Sequence, residues 1–310
     1  MFARAGMATV SGGALGESSP FEATQDALFG GSLVLFQPLR GAGYRTNVDA
    51  LLLAWFASTS LPPSIPHPTL APSTRSVSRP AALAFDLGAG VGAVGLALLR
   101  FGAAKRVVLV EIDEQPAAMA RRNLDVNGWA DRGEVVRGDV SDVARSRQGE
   151  AALVVCNPPY TAPGRGRVPV AEARARCGDL GAFVHAARQV AGKRARVCFV
   201  YRAQELGALL TSLTDEGLHP KRMRFVHGTP DAPARVVLVE AQAGRAGGLF
   251  VMPPLVEREA HGYTREMPAF IRAISCSSSA SASVRWAAAR ALLWASSLVA
   301  RRRIKRRPSS

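Results

Sequence analysis

An amide, two prolines and an aromatic ring directly follow an apolar run in the middle of the chain. Residues 153–156 read LVVC, which is typical of a buried strand, and Asn157-Pro158-Pro159-Tyr160 comes next. Proline fixes φ at about −65°, has no N–H to donate, and keeps the residue before it out of the helical region. The sequence therefore predicts a stiff, non-helical elbow with carbonyl oxygens and one carboxamide at the end of a strand.

Such an elbow could act on an amino group attached to a planar system, whose lone pair is delocalised and weakly nucleophilic. The side-chain oxygen of Asn157 and the backbone carbonyl of Pro158 could each accept one N–H. Two fixed acceptors would aim the lone pair at an electrophile without a dedicated base. Tyr160 could stack on the planar group. The candidate catalytic residues are Asn157, Pro158, Pro159 and Tyr160.

A glycine-rich turn and three carboxylates follow earlier strand-like runs. Residues 86–92 read DLGAGVG, and glycines there allow a tight turn and close approach of a ligand to the backbone. Asp86 could receive an ammonium group directly or through water, Glu111 could accept both hydroxyls of a ribose, and Asp139 could accept the amine of an adenine. A cation with an amino acid end, a ribose and an adenine is S-adenosylmethionine. The spacing therefore predicts this cofactor.

Two interpretations from other classes stay open. Gly90, Gly92 and Gly95 also match the dinucleotide spacing GxGxxG, with Glu111 lying 19 residues beyond Gly92, which would suit an NAD-dependent dehydrogenase. The carboxylate of Asp86 would repel a pyrophosphate. The other alternative is a non-catalytic protein that only binds the cofactor, although such a protein would not need the NPPY elbow. No His or Cys spacing indicates a metal site, so none is expected.

The elements that must position these residues alternate between strand and helix from residue 82 onward. The strand-like runs are AALAFDL, RVVLVEI, GEVVRGD, AALVVC, RARVCFVY, KRMRFVHG and ARVVLVEAQ, the last two without a helix between them. This pattern predicts an α/β fold whose mostly parallel, seven-stranded sheet is covered on both faces and ends in an antiparallel C-terminal edge hairpin. Residues 32–37 predict an earlier strand. Residues 47–57 predict a helix with a capping box of Thr46 and Asp49.

These motifs resemble those of class I S-adenosylmethionine-dependent methyltransferases, in the small-domain NPPY group that modifies planar amino nitrogens. The resemblance is carried by DLGAGVG (86–92), VEID (110–113), GDV (138–140) and NPPY (157–160). The stretch from Gln37 to Leu53 is similar to the segment that covers the cofactor in this family. The resemblance implies a Rossmann-like fold and these cofactor-binding residues: Asp86, Gly88, Gly90, Gly92, Glu111, Ile112, Asp139, Val140, Tyr44 and Asp49.

Within this group the chain most resembles the bacterial tRNA adenine-N6 methyltransferases that act beside the anticodon of a valine tRNA. The resemblance covers about residues 30–57 and 82–267 and implies a methyl group transferred to adenine N6 in tRNA. NPPY also serves enzymes that methylate guanine N2 of ribosomal RNA or glutamine N5 of a release factor, so both alternatives stay open. Weak candidates for contacts to substrate phosphates follow the elbow: Arg165, Arg167, Arg174 and Arg176.

Composition bears on the partner and the location. The 39 basic and 24 acidic residues give a formal charge of +15, which favours a polyanionic partner such as RNA. Cys156 and Cys198 lie in strand-like runs, and free thiols of this kind fit a reducing cytoplasm. The chain shows no secretory signal and no apolar stretch long enough to span a membrane, so we expect no stable membrane association. We expect a monomer.

Composition also divides the chain. Residues 1–30 are small and polar, and we expect them to be poorly ordered. Residues 31–267 are expected to form the methyltransferase domain, with a Pro/Ser-rich insertion at 58–80. Residues 268–310 form a low-complexity linker and a basic tail, which is expected to contact RNA electrostatically and to take no part in chemistry.

Overall fold

The computed structural model describes residues 22–39, 41, 43, 45–60, 76–77, 80–159, 179–244, 246–265 and 267. Several predictions fall outside these residues: those for most of 1–30 and of the insertion at 58–80, for Tyr44, for Tyr160 and the arginine-rich stretch after it, and for the basic tail.

The strands, in chain order, are β1 (Ala23–Leu28), β2 (Leu33–Pro38), β3 (Thr59–Ser60), β4 (Ser76–Val77), β5 (Ala81–Leu87), β6 (Ala104–Glu111), β7 (Gly133–Arg137), β8 (Ala151–Cys156), β9 (Ala191–Arg202), β10 (Leu218–His227), β11 (Ala234–Ala243), β12 (Phe250–Val251), β13 (Leu255–Val256), β14 (Arg258–Glu259) and β15 (Gly262–Tyr263). The described helices are α1 (Val48–Ser58), α2 (Ala93–Arg100), α3 (Glu114–Val126), α4 (Val140–Ser146), α5 (Leu180–Val190) and α6 (Leu206–Asp215).

The central sheet has its seven long strands in the order β7-β6-β5-β8-β9-β11-β10. Strands β5 to β9 pair in parallel, whereas β11 runs antiparallel to both of its neighbours. This confirms the predicted mostly parallel sheet with an antiparallel hairpin near one edge. The short strands β12 and β13 pair with β10 beyond that hairpin, so the hairpin itself is not the outermost part of the sheet.

Side chains alternate between two apolar cores, one on each face of the sheet. Leu153 and Val155 point into the core that contains α1 and α2, while Val154 and Cys156 point into the core that contains α4, α5 and α6. Successive residues of a strand face opposite sides, so a strand buried on both faces must be apolar throughout. The continuous apolar runs predicted as strands therefore follow from helices on both faces. No described helix is long and apolar enough to cross a membrane.

Helix α1 is fixed at both ends by polar contacts. At its start the side chain of Asn47 accepts the N–H groups of Asp49 and Ala50. The predicted cap at Thr46 is therefore wrong by one residue, because the carboxamide one position later already satisfies these first-turn donors. At its end the buried guanidinium of Arg222 donates to the carbonyl of Phe56 at 2.7 Å and to Glu240 at 2.7 Å.

Helix α4 and strand β1 are among the elements that had no counterpart in the sequence predictions. Helix α4 follows Asp139 directly, in a stretch for which no element was predicted. Strand β1 lies within the stretch for which little order was expected, and it pairs with β2 from Ala23 opposite Pro38 to Leu28 opposite Leu33. A hairpin this short is marginal alone, so its order must come from packing against the rest of the protein.

Candidate active site

The strand order reverses between β5 and β8. The chain proceeds from β5 to β6 and β7 on one side and from β8 to β9 on the other, so a crevice opens at the carboxyl ends of β5 and β8. The register pairs Leu87 with Val110 and with Cys156. The glycine run after Leu87 and the elbow after Cys156 therefore leave neighbouring strands at the same level. This crevice is the candidate active site.

Four predicted positions line the carboxyl edge in the order Asp139, Glu111, the glycine run and Asn157, because they end β7, β6, β5 and β8. Neighbouring strands lie about 4.8 Å apart, so the row spans roughly 14 Å. That length suits an extended nucleoside with an attached amino acid. The structure thus brings together residues that are 71 positions apart in the chain, from Asp86 to Asn157.

The glycine run turns sharply at the end of β5. Gly88, Gly90 and Gly92 all have positive φ, and a Cβ placed on Gly90 would meet no atom within 4 Å. The backbone at Gly90 is therefore open to a ligand. Gly95 differs, since a Cβ there would lie 2.3 Å from the side chain of Leu109. Close packing of α2 on β6 explains why residue 95 is a glycine. The GxGxxG match therefore does not by itself indicate a dinucleotide site.

The carboxylate of Glu111 is held by two backbone donors. One oxygen accepts the N–H of Gly90 at 2.7 Å and the other accepts the N–H of Asp113 at 2.9 Å. Burial raises the pKa of Glu111, and these hydrogen bonds partly oppose the rise. A carboxylate has about four acceptor positions, so each oxygen can still take one hydroxyl donor. Glu111 thus fits a ribose with two free hydroxyl groups.

An apolar surface and a second carboxylate lie beside Glu111. Ile112 is 53% exposed, although the side chain is apolar. Asp139 is exposed and accepts the N–H of Ser141 at 2.8 Å, which caps α4, while Val140 is buried in the first turn of that helix. An exposed apolar side chain beside a free carboxylate oxygen suits a flat ring that carries an amino group. The residues present therefore fit the adenosine part of S-adenosylmethionine.

Asp86 occupies a different environment from the other carboxylates. It is only 1% exposed, and its carboxylate accepts the N–H of Gly95 at 2.9 Å. Burial raises the pKa of Asp86 to about 7, the Gly95 hydrogen bond opposes the rise, and the charge of Glu111 adds to it. In this position Asp86 fixes the first turn of α2. Its predicted contact with an ammonium group stays a prediction.

The elbow after β8 has the conformation that its prolines predict. Residues 157–159 belong to no helix or strand; Asn157 and Pro159 are half-buried and Pro158 is buried. The carboxamide of Asn157 follows a strand whose neighbours are β5 and β9, so it lies at the crevice. Tyr160 and the arginines at 165, 167, 174 and 176 lie outside the described residues.

Asp49, predicted to help cover the cofactor, is tied into the protein instead of projecting freely. It is 3% exposed and accepts from Arg235 at 2.5 Å and from Asn47 at 3.1 Å. Arg235 also pairs with Glu257 at 2.5 Å. The start of α1 is thereby joined to β11 and to the C-terminal strands. This arrangement holds the covering segment in place, whereas contact between Asp49 and a ligand stays a prediction.

Two functional candidates escaped the sequence analysis. Asn123 of α3 and Asn127, the C-terminal cap of this helix, bond through their carboxamides to the backbone of β2. Asn123 also donates to the carbonyl of Val91 in the glycine run at 2.9 Å. A pair of asparagines four residues apart on one helix was the available signal, but it does not say which segment they meet. Among the described residues, no cluster of three or more His, Cys, Asp or Glu could hold a metal.

Comparisons with known proteins find similarity to methyltransferases. Residues 75–176, about a third of the chain, match the family model described as "Methyltransferase small domain". A tRNA1(Val) (adenine(37)-N6)-methyltransferase of Flavobacterium psychrophilum is 25% identical over 185 residues, which cover 58% of this chain and 78% of that protein. The enzyme of the same name from Pectobacterium carotovorum is 36% identical over 80 residues, 26% of this chain and only 32% of the relative. The chain thus spans about a third of that relative.

A solved structure, the "predicted O-methyltransferase" of Agrobacterium tumefaciens, is 25% identical with a TM-score of 0.49 and covers 59% of this chain and 85% of that one.

The reversed strand order and the carboxylates at successive strand ends define a Rossmann-like fold of the class I methyltransferase type. About a third of the chain, residues 75–176, is similar to the small methyltransferase domain. It is similar to bacterial proteins named tRNA1(Val) (adenine(37)-N6)-methyltransferase.

Proposed function

We propose that this protein transfers a methyl group from S-adenosylmethionine to the N6 amine of an adenine in tRNA. The observation that carries the proposal is the position of the Asn157-Pro158-Pro159 elbow, beside the glycine run at the reversal of the strand order. An elbow that offers two acceptors suits an amine on a planar ring. The names of the similar bacterial enzymes support adenine and tRNA in particular.

The cofactor would lie along the carboxyl edge of the sheet. Glu111 would accept the ribose hydroxyls, Ile112 and Asp139 would take the adenine, and the open backbone at Gly90 would face the amino acid end. When bound, the cofactor supplies an electrophilic methyl group on a sulfonium. The glycine run and the elbow leave adjacent strands, so donor and acceptor would meet between them.

The chain's contribution to the reaction is orientation. The Asn157 side-chain oxygen and the Pro158 carbonyl would each accept one N–H of the target amine and draw its lone pair towards the crevice. Fixed acceptors need no rearrangement as charge develops on the nitrogen, which is the basis of electrostatic preorganisation. The two prolines keep these acceptors rigid at no cost in hydrogen bonds, since neither has an N–H to satisfy.

Contact with RNA is expected to come largely from residues outside the described part of the chain. The described residues contain equal numbers of basic and acidic side chains, so the formal excess of +15 belongs to the remaining residues. These include the arginines at 165, 167, 174 and 176 and the basic tail. Binding through phosphate contacts depends strongly on salt. An RNA substrate of this kind also supports a cytoplasmic location.

The test offers radiolabelled S-adenosylmethionine with total tRNA, ribosomal RNA, DNA and a release factor in separate reactions. The substrates come from cells that lack this enzyme, so that the target position is unmodified. Label in tRNA that digests to N6-methyladenosine supports the proposal. Label only in the release factor, or as N2-methylguanosine in ribosomal RNA, would replace it with the corresponding alternative.

A further inference from the structure

Asn123 in α3 and Asn127 at the C-terminal cap of α3 bond to one edge of β2, in the place that a neighbouring strand would take. The side-chain oxygen of Asn123 accepts the N–H of Phe36 at 2.6 Å, and its amide nitrogen donates to the Phe36 carbonyl at 3.0 Å. Asn127 does the same for Val34, at 2.9 Å and 2.7 Å. Each carboxamide thus satisfies both backbone polar groups of one residue on the edge of β2 that faces away from β1.

The match depends on the geometry of the two elements. Four residues along a helix rise by about 6 Å, and two residues along a strand rise by about 6.7 Å. Asn123 and Asn127 are therefore spaced like Phe36 and Val34, whose polar groups point the same way. The guanidinium of Arg122 adds a contact over the Phe36 ring at 3.6 Å. The hairpin of β1 and β2 is consequently docked on α3 at successive turns of the helix.

Only one of the two asparagines reaches the glycine run. The second amide hydrogen of Asn123 goes to the carbonyl of Val91 at 2.9 Å, whereas that of Asn127 goes to the carbonyl of Asn123 within the helix. Val91 also packs against Leu35 of the hairpin and Met119 of α3. Asn123 is fully buried. The glycine run, the hairpin and α3 therefore meet at this one carboxamide.

We propose that Asn123 is a positioning residue that couples docking of the N-terminal hairpin to the shape of the cofactor-binding glycine run. The inference rests on the proposed function in so far as the glycine run binds S-adenosylmethionine. Since coupling between two sites is reciprocal, a docked hairpin would strengthen cofactor binding, and bound cofactor would stabilise the docked hairpin.

The structure offers a matched control. Asn123→Ala, within α3, and Asn127→Ala, at the C-terminal cap of α3, each remove one clamp on β2, but only Asn123→Ala removes the bond to Val91. Both variants would be compared with the wild type by calorimetry with S-adenosylhomocysteine, well below their unfolding temperatures. Hydrogen exchange of the backbone amides would be followed in the absence and presence of this ligand.

We expect Asn123→Ala to weaken S-adenosylhomocysteine binding about three- to tenfold more than Asn127→Ala, the range of one buried hydrogen bond. Exchange of the Gly90 and Gly92 amides should accelerate only in Asn123→Ala. Equal changes in the two variants would reduce Asn123 to a general support of the hairpin and overturn the proposal.

Two further measurements distinguish a failure of this inference from a failure of the proposed function. In the wild type, the ligand should slow exchange of the Phe36 amide, which decides the coupling even if Asn123→Ala does not fold. If the wild type binds no S-adenosylhomocysteine, the proposed function fails. The exchange rates at Gly90 and Gly92 in the ligand-free variants would still decide whether Asn123 positions the glycine run.

Discussion

The glycine run after β5 and the elbow after β8 leave neighbouring strands, yet they keep their shapes by different means. The glycine run is flexible by composition and is held by tertiary contacts: Glu111 accepts the N–H of Gly90, Val110 accepts those of Gly88 and Ala89, and Asn123 donates to Val91. The elbow is stiff through the covalent rings of Pro158 and Pro159. The half assigned to the cofactor thus depends on distant residues, whereas the half assigned to the substrate is mostly rigid by itself.

This difference predicts which substitutions affect binding and which affect turnover. Residues that hold the glycine run should change cofactor affinity and often stability. Asn157 should change the rate of transfer while leaving the fold alone.

The largest effect is expected for Asn157→Ala. Loss of one preorganised acceptor should lower the turnover of methyl transfer by ~10²–10³, while binding of S-adenosylhomocysteine stays close to that of the wild type. Single-turnover transfer to tRNA and calorimetry measure the two quantities. A parallel fall in both would show that Asn157 supports the fold of the crevice, and the proposed contrast between the two halves would be lost.

Glu111→Ala should weaken cofactor binding, which we assign to the half of the crevice formed by the glycine run. Loss of two charge-assisted hydrogen bonds to a ribose, roughly 1.5–3 kcal/mol each, should weaken S-adenosylhomocysteine binding strongly. Glu134→Ala is the control, because this carboxylate lies exposed at the far end of neighbouring β7 and pairs with Arg147. Calorimetry on both variants provides the test. An unchanged affinity in Glu111→Ala would mean that the ribose binds elsewhere.

Asp86→Asn should remove a pH dependence of stability in the ligand-free protein. The folded state holds the Asp86 proton up to about pH 7, while the unfolded chain releases it near its ordinary value of 3.8. This contribution is present below about pH 4 and is lost as pH rises through about 7, by at most about 1.4 kcal/mol per pH unit. Asparagine keeps an acceptor for Gly95 and does not ionise.

Urea unfolding of the wild type and of Asp86→Asn at pH 5 and pH 8 measures this effect. The variant should gain stability relative to the wild type at the higher pH. A difference between the two proteins that stays constant with pH would show that Asp86 does not titrate in this range.

The smallest effect concerns the start of the covering helix. Asn47→Ala should cost about 1 kcal/mol of stability, because its carboxamide caps the first turn of α1. Thr46→Ala is the natural control, since the sequence favoured Thr46 as the cap. Thermal unfolding of both variants distinguishes the two positions. A larger loss in Thr46→Ala would contradict the cap seen in the structure.

Several features of the fold could be predicted because they are local. Apolar runs that alternate with helical patterns indicated a parallel sheet with both faces covered, and the last two runs, separated by only a short turn, indicated an antiparallel hairpin. The proline pair after Cys156 predicted a non-helical elbow, as the structure has it. Each of these inferences uses backbone restrictions or side-chain periodicity within a few residues of the chain.

The cap of α1 and the hairpin of β1 and β2 show where local reasoning fails. Thr46 and Asn47 are both good cap residues, and only the position of the first turn selects one of them. Strand β1 has little apolar character, and its order depends on β2 and, through β2, on α3. The asparagines that hold β2 lie 87 and 93 residues from their partners, and no local pattern connects such distant positions.

Residue types at the ends of recognisable strands were enough to predict an S-adenosylmethionine cofactor and a row of acceptors along the carboxyl edge of the sheet. Only the tertiary structure decided how the strands are ordered and therefore where β5 and β8 open a crevice. Tertiary packing also buries both strand-end carboxylates and gives them different partners, the N–H of Gly95 in α2 for Asp86 and the N–H of Gly90 in the glycine run for Glu111. Burial depends on what packs over a residue, and the chain supplies that packing from α2 and from distant segments.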